Sequence, residues 1–426
     1  MDDSSARKQA APPSPLPNIF VARQPIFDAS QRVYAYELLF RNSLKNSFDP
    51  TVCGSRATSN VISSSFFVLG IQQVTQGKKA FINFSDELLL QEYPMLCDSN
   101  LTVIELLESA TLSQPLVDIC RKLTRRGFLL ALDDFVYSPE WEPFLDLAHI
   151  IKFDMRSMER AELERQLERI DGHRRRRDIK LLAEKVETFE EFRYTGRLGF
   201  TYFQGYFFSR PNIITGRDLP VSKLHLLRLI QQINDPNHDF VALGKLVAND
   251  VALSYKLLKF INSAWFGLRV KVQSLQSAVA LLGEDNFRKW LSLIALSAMA
   301  ADKPPELFNL TVFRGAFCEE VARLMAGVID AGVCHTIGMF SLLDAILDRP
   351  MGEIVAELSL SDTISDALLG KKPGLHAAPL YLLRAYEHGR WQAVETLATN
   401  LRINQALLPG IFEKALQTVD AFSSSD

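Results

Sequence analysis

Seven residues of one long segment have types and spacings that could do chemistry together: Glu37, Asn83, Glu105, Asp133, Lys152, Glu184 and Gln204. Each directly follows a short apolar run: "VYAY", "AFI", "LTVI", "LLAL", "HII", "IKLLA" and "FTYF". The successive spacings are 46, 22, 28, 19, 32 and 20 residues, most of them the length of one helix-plus-strand unit. Turn chemistry alone favours Gly, Asn, Asp and Ser at such places. Here four of the seven are carboxylates and one is a lysine. Ionised groups next to apolar strands are costly to bury without a counter-charge. Oxygen-rich sets of this kind suit hard divalent cations, Mg²⁺ or Mn²⁺. A carboxylate-held metal beside a lysine suits hydrolysis of a phosphate ester. The metal neutralises phosphate and activates water, and a carboxylate takes the proton.

Positioning these residues requires strands whose ends meet. From about Asn18 to Pro211, short apolar runs alternate with amphipathic stretches such as Gln114–Arg126 and Ser157–Asp171. The expected strands are "KAFINFS", "LTVIEL", "FLLALDD", "HIIKFD", "IKLLAEKV" and "FTYFQGYFF". Strand and helix in alternation predict a parallel α/β fold. Near-continuous apolar strands predict that both sheet faces are covered. In a (β/α)8 barrel the strand-end residues would all emerge on the C-terminal face, where active sites of that fold sit. Beyond "SRPNIITGRDLP" the texture becomes helical throughout. The expected organisation is a disordered tail over 1–17, a barrel over 18–212 and an all-helical domain over 213–420.

Composition sets outer limits. The chain has 426 residues and a net charge of −3, so no global basic field argues for nucleic acid or an anionic membrane. No apolar run approaches the roughly 18 residues of a membrane span. The five cysteines are scattered, without a CxxC pair, and read as free thiols of a cytoplasmic protein.

Taken in order, the motifs resemble EAL-type cyclic di-GMP phosphodiesterases over about Asn18 to Pro211. "ARQPIFD" resembles the family's entry strand, with Gln24 in place, and "YELLFRN" stands at the Glu-Ala-Leu-x-Arg motif. The resemblance implies a metal set of Glu37, Asn83, Glu105, Asp133, Asp134 and Glu187. It makes Glu184 the general base and Lys152 a further catalytic residue, and makes Gln24, Arg41 and Gln204 ligand-binding. It also implies Mg²⁺ or Mn²⁺ as cofactor, cyclic di-GMP as ligand and a homodimer in many members. Three departures stand out. The motif's alanine is Leu38, the glycine after the base is Lys185, and the glycine-rich loop after the aspartate pair is "VYSPEWE". Without its glycines, tight backbone positions are closed to this loop. Weak or regulated hydrolysis is therefore expected, with a non-enzymatic cyclic di-GMP receptor as the alternative.

The helical half resembles HDOD domains, relatives of HD-type phosphohydrolases, through "ANDVALSYKLLKFINSAWFG", "VQSLQSAVALLGEDNFRKW" and "LYLLRAYEHGRW". The His-Asp dyad of catalytic relatives is missing. Ser341 and Leu342 stand at one register, His335 and Thr336 at the other, and Gly315–Ala316 where His-Ser is frequent. His335 is expected to be structural, and the domain to bind an unidentified protein partner. "HRRRRD" reads as a solvated helix end matching the helix dipole. "SAWFGLR", with Trp265 and Phe266, reads as helix core.

Overall fold

The computed structural model describes residues 20–41, 71–210, 221–234, 243–244, 247, 251–262, 272, 274–325, 327–358, 360–371 and 374–423. Eight strands close into a barrel in sequence order: β1 Phe20–Asp28, β2 Val33–Arg41, β3 Lys79–Phe84, β4 Thr102–Leu106, β5 Leu129–Leu132, β6 Ile150–Asp154, β7 Lys180–Glu184 and β8 Tyr202–Gln204. The six strands expected from the apolar runs are β3 to β8. Strands β2 to β8 run parallel, whereas β1 pairs antiparallel with both β2 and β8. That reversal was not foreseen, and it comes from a tight hairpin. Asp28 Oδ1 accepts the backbone N–H of Ser30 at 2.8 Å and of Arg32 at 3.0 Å. Gln31 takes the left-handed conformation, φ 59°, that such a turn requires.

Side-chain alternation explains where the polar residues go. Ile26, Ala35, Phe81, Val103, Ala131, Ile150 and Leu182 fill one buried layer of the lumen. Side chains two residues apart share a face of a strand. Two residues on from six of these stand Glu37, Asn83, Glu105, Asp133, Lys152 and Glu184. The barrel is therefore plugged by an apolar layer below and lined by polar groups above. Strand β1 runs the other way, so Gln24, two residues before Ile26, reaches the same level and lies opposite Glu37. The outward residues of the strands, such as Ile82, Ile104 and Leu130, pack under the helices Gln114–Arg125 and Arg160–Arg177.

From Val221 every described element is a helix or a 3₁₀ turn. Helix Pro305–Leu324 is central, packed by Ala331–Phe340, Ala378–Glu387 and Leu408–Ser423. Gly338 permits a close crossing, because a Cβ there would collide with the Arg314 carbonyl. The helices also bear on the barrel. Phe20 of β1 meets Trp391 at 6.2 Å between ring centroids. The Tyr36 hydroxyl donates to the buried Glu306 carboxylate at 3.2 Å, while the Arg23 guanidinium lies 4.3 Å from the Tyr36 ring centre. Gln76 Nε2 donates to Asp420 Oδ1 at 2.5 Å. Trp265 and Phe266, and the expected domain boundary, lie outside the described residues. The helix before β7 does run to Arg177, as "HRRRRD" suggested. No single helix among the described residues is long and apolar enough to cross a membrane.

Candidate functional site

Lys152, fully buried on β6, is the centre of the polar layer. Its Nζ lies 2.7 Å from Asp133 Oδ1, 2.9 Å from Glu184 Oε1 and 3.9 Å from Glu37 Oε2, and it also contacts Glu105 Oε1. Burial alone would lower this lysine. The surrounding carboxylates outweigh burial and hold it well above its ordinary value. One ammonium does not balance four carboxylates. Burial holds Glu105 well above its usual range, with Glu37 and Asp133 adding to the effect against the pull of Lys152. Burial likewise pushes Glu184 up to about 8 in spite of Lys152. The cluster is short of positive charge.

Amide side chains complete the layer. Gln204 Nε2 donates to Glu37 Oε2 at 2.5 Å and to Gln24 Oε1 at 3.0 Å. Asn83 Nδ2 donates to Glu37 Oε1 at 3.3 Å. The remaining oxygens, Asn83 Oδ1, Glu105 Oε2, Gln204 Oε1 and the nearby Asp134 Oδ1, are buried without a hydrogen-bond donor. Orphaned buried acceptors in a native site call for an explanation. Among the described residues, no three His, Cys, Asp or Glu side chains are grouped to hold a metal, because the Lys152 ammonium stands between the carboxylates. Oxygen-only donors, unmatched acceptors and missing positive charge nonetheless fit a hard divalent cation.

Other expected residues separate from this centre. Asp134 sits in the left-handed region at φ 41°, with its carboxyl raised by burial and then by Asp133. Lys185 is also left-handed, φ 55°, at the place where the resemblance has glycine, and its Nζ pairs with Asp154 at 2.5 Å. Asp154 was missed in the sequence, although it ends the "IKFD" run two residues after Lys152 and so shares its face. Glu187 lies on the rim, in ion pairs with Arg156 and, at 2.7 Å, with Arg210. Arg41 ends β2 opposite Phe20, and only its backbone is described.

The divergent loop turns outward. Phe135 is buried against Trp141 and Phe153, each at 5.8 Å, and Trp141 packs on Phe144 at 5.7 Å. Tyr137 N–H donates to Gln166 at 2.8 Å, and its hydroxyl to Glu142 at 2.6 Å. Residues 136–142 contribute nothing to the wall of the cavity above the cluster. That cavity has a volume of about 800 Å³, and one wall belongs to the helical half of the chain.

Comparison with known proteins agrees with this layout. The EAL domain profile matches residues 16–211, and the HDOD domain profile matches residues 219–362. A Vibrio cholerae serotype O1 protein named cyclic di-GMP phosphodiesterase CdgJ is 38% identical over 381 residues, covering 88% of this chain and 86% of its own length. The chain belongs to the EAL–HDOD family. Bacillus subtilis YuxH, of uncharacterized function, is 34% identical over 396 residues, covering 91% of this chain and 95% of its own. Among solved structures, Klebsiella pneumoniae BlrP1 as a manganese/cy-diGMP complex is 20% identical, with a TM-score of 0.37, and covers 48% of this chain and 57% of its own.

In the HDOD half, Gly315 leaves the space that His335 fills; a Cβ there would lie 3.2 Å from the imidazole. His335 Nδ1 is 2.9 Å from Glu319, which Lys289 also reaches at 2.8 Å. His335 is thus a packed, buried residue that faces the Glu319 carboxylate. Despite burial, which opposes it, hydrogen bonding and charge from His335 and Lys289 lower the Glu319 carboxyl to about 2.

Proposed function

We propose that this protein binds cyclic di-GMP at the mouth of its EAL barrel and hydrolyses it slowly to the linear dinucleotide, with Mg²⁺ or Mn²⁺ as cofactor. One observation carries the reading: a buried carboxylate cluster short of positive charge, under a cavity of about 800 Å³, in a chain so similar to CdgJ. Glu37, Asn83, Glu105, Asp133 and Asp134 supply the oxygens that hold the metal, with Glu187 joining from the rim. A divalent cation held there would supply the positive charge that neutralises the phosphate and lowers the pKa of water. Glu184, a carboxyl that burial has raised, would accept the water proton once the charge of a bound cation lowered it. Lys152 holds Asp133 and Glu184 in place and offsets negative charge that builds on the phosphate. Gln24, Gln204 and Arg41 hold the dinucleotide. The HDOD domain serves as a module for protein contacts without a catalytic metal of its own, and the barrel as a dimerisation unit.

Slow turnover follows from the loop and from Lys185. The first turns away from the cavity, and the second clamps Asp154. The same two observations support the alternative of a receptor that binds without turnover. Incubation of purified protein with Mn²⁺ and cyclic di-GMP separates the two. Linear dinucleotide, absent with EDTA, is expected; binding by calorimetry without product would favour the receptor, and no binding would refute both.

A further inference from the structure

The cavity over the barrel has a second wall that the EAL domain does not provide. Arg314, Ser341, Asp344, Arg384, His388 and Arg390 of the HDOD half line it. Most cations around this space are already engaged. Arg156 and Arg210 hold Glu187, Lys185 holds Asp154, and Lys152 is enclosed by carboxylates. Arg314 is locked by Glu387 through two hydrogen bonds of 2.9 and 2.8 Å and also donates to Ser341 at 3.1 Å. Arg384 and Arg390 differ: both are exposed, and neither guanidinium makes a hydrogen bond or ion pair with any described residue. Glu387 and Asp344 are the acids facing Arg384; Glu387 is taken up by Arg314, and Asp344 Oδ1 already accepts the N–H of Ala345 at 2.9 Å. Setting Arg314 against Glu387, and Asp344 against one arginine, leaves this wall with net positive charge.

The two free arginines are held in register with the barrel. Glu387 lies between them in sequence, and its backbone carbonyl accepts from Gln24 Nε2 at 3.4 Å and from the Tyr206 hydroxyl at 3.2 Å. His388 stacks on Tyr206, centroids 4.4 Å apart and planes at 21°, so one aromatic pair spans both domains beside the arginines. A cyclic dinucleotide carries two phosphates. The barrel cluster, with its metal, is arranged for one of them. Planar guanidiniums match phosphate oxygens in pairs. We propose that Arg384 and Arg390 clamp the second phosphate of cyclic di-GMP, so that the ligand is held between the EAL and HDOD domains. The inference rests on the reading of the barrel mouth as the cyclic di-GMP site. It makes the helical half of the chain, just beyond the stretch that the HDOD profile matches, part of the ligand site, and ligand occupancy then favours its docked arrangement on the barrel.

The test is calorimetry of cyclic di-GMP binding to the full chain with Ca²⁺, for wild type and three double variants. Arg384→Ala/Arg390→Ala should weaken binding at least tenfold. Arg384→Lys/Arg390→Lys should fall between it and wild type, because charge remains while paired hydrogen bonding is lost. Arg125→Ala/Arg126→Ala removes the same charge from an exposed helix end away from the cavity and should bind as wild type does. If wild type binds and the Arg384/Arg390 alanine variant binds within twofold of it, the clamp is refuted while the barrel site stands. Equal loss in the Arg125/Arg126 variant would reduce the effect to long-range charge and also overturn the clamp. Absence of wild-type binding would instead refute the barrel reading itself. Thermal melts matching wild type establish that each variant is folded.

Discussion

Lys152→Met removes the single ammonium from the carboxylate cluster while nearly keeping side-chain volume. The lysine is fully buried and lies within 3 Å of Asp133 and Glu184. Taking one partner out of a buried ionic cluster leaves uncompensated charge and costs about 3–5 kcal/mol. For a domain of this size that lowers the thermal midpoint by roughly 6–20 °C. The penalty depends on pH with a definite sign. Glu184 already titrates in the folded barrel at about 8, above the 4.5 of a free side chain. A raised carboxyl contributes stability below its unfolded value and loses it as pH rises through the folded one. Without Lys152, Glu184 and Glu105 rise further, so the variant should be close to wild type near pH 5 and much weaker at pH 8. Added Mn²⁺ should restore part of the loss at pH 8, because a divalent cation can replace the missing charge. Melts in EDTA and in Mn²⁺, at both pH values, read all of this. A variant as stable as wild type at pH 8 in EDTA would refute the electrostatic account of the cluster.

Two further outcomes are expected. Replacing Phe135–Glu142 with Phe-Gly-Thr-Gly-Tyr-Ser-Ser should raise hydrolysis by roughly 10²–10³-fold, on the order of 3–4 kcal/mol of recovered transition-state stabilisation, and adding Asp133→Asn should abolish the gain; product formation in Mn²⁺ decides, and an inert but ligand-binding graft shifts the defect to Lys185. Glu319 is held near 2 against an ordinary 4.5, so it contributes on the order of 3 kcal/mol above pH 4.5 that is lost as pH falls toward 2; acid denaturation of Glu319→Gln should lack that slope, and an unchanged acid transition would refute the pairing with His335 and Lys289.

Much of the barrel was legible because its signal is local. Apolar runs mark the strands, and a polar residue at the end of each run falls on the inward face by simple alternation. That is why Glu37, Asn83, Glu105, Asp133, Lys152, Glu184 and Gln204 converge. The same alternation would have found Asp154, had the step of two been carried one place past Lys152. The reversal of β1 was not legible, since the hairpin signal is a few polar residues around Asp28 and looks like any loop. Gln24 therefore rested on resemblance alone. The arginine wall had no local signal at all. Arg384 lies in the last turn of one helix and Arg390 just before the next, and their meaning comes from a barrel strand more than 350 positions earlier. Glu187 shows the converse: the motif singles out the position, while its side chain is drawn to Arg156 and Arg210 on the rim.

The contact of β1 with the last described helix has a consequence for how the chain is made. Phe20 and Val21 belong to the first described strand, yet their cover comes from Trp391, Tyr386 and the helix Leu408–Ser423. Chains emerge from the ribosome at about 5–20 residues per second, and their N-terminal parts fold first. The barrel can therefore close on the order of half a minute before its final covering helices exist. During that interval an apolar strip along β1 and the rings of Phe20 and Tyr36 face water. A newborn chain at this stage is a nearly finished barrel with one sticky side, and it stays so until synthesis reaches the helices that cover it.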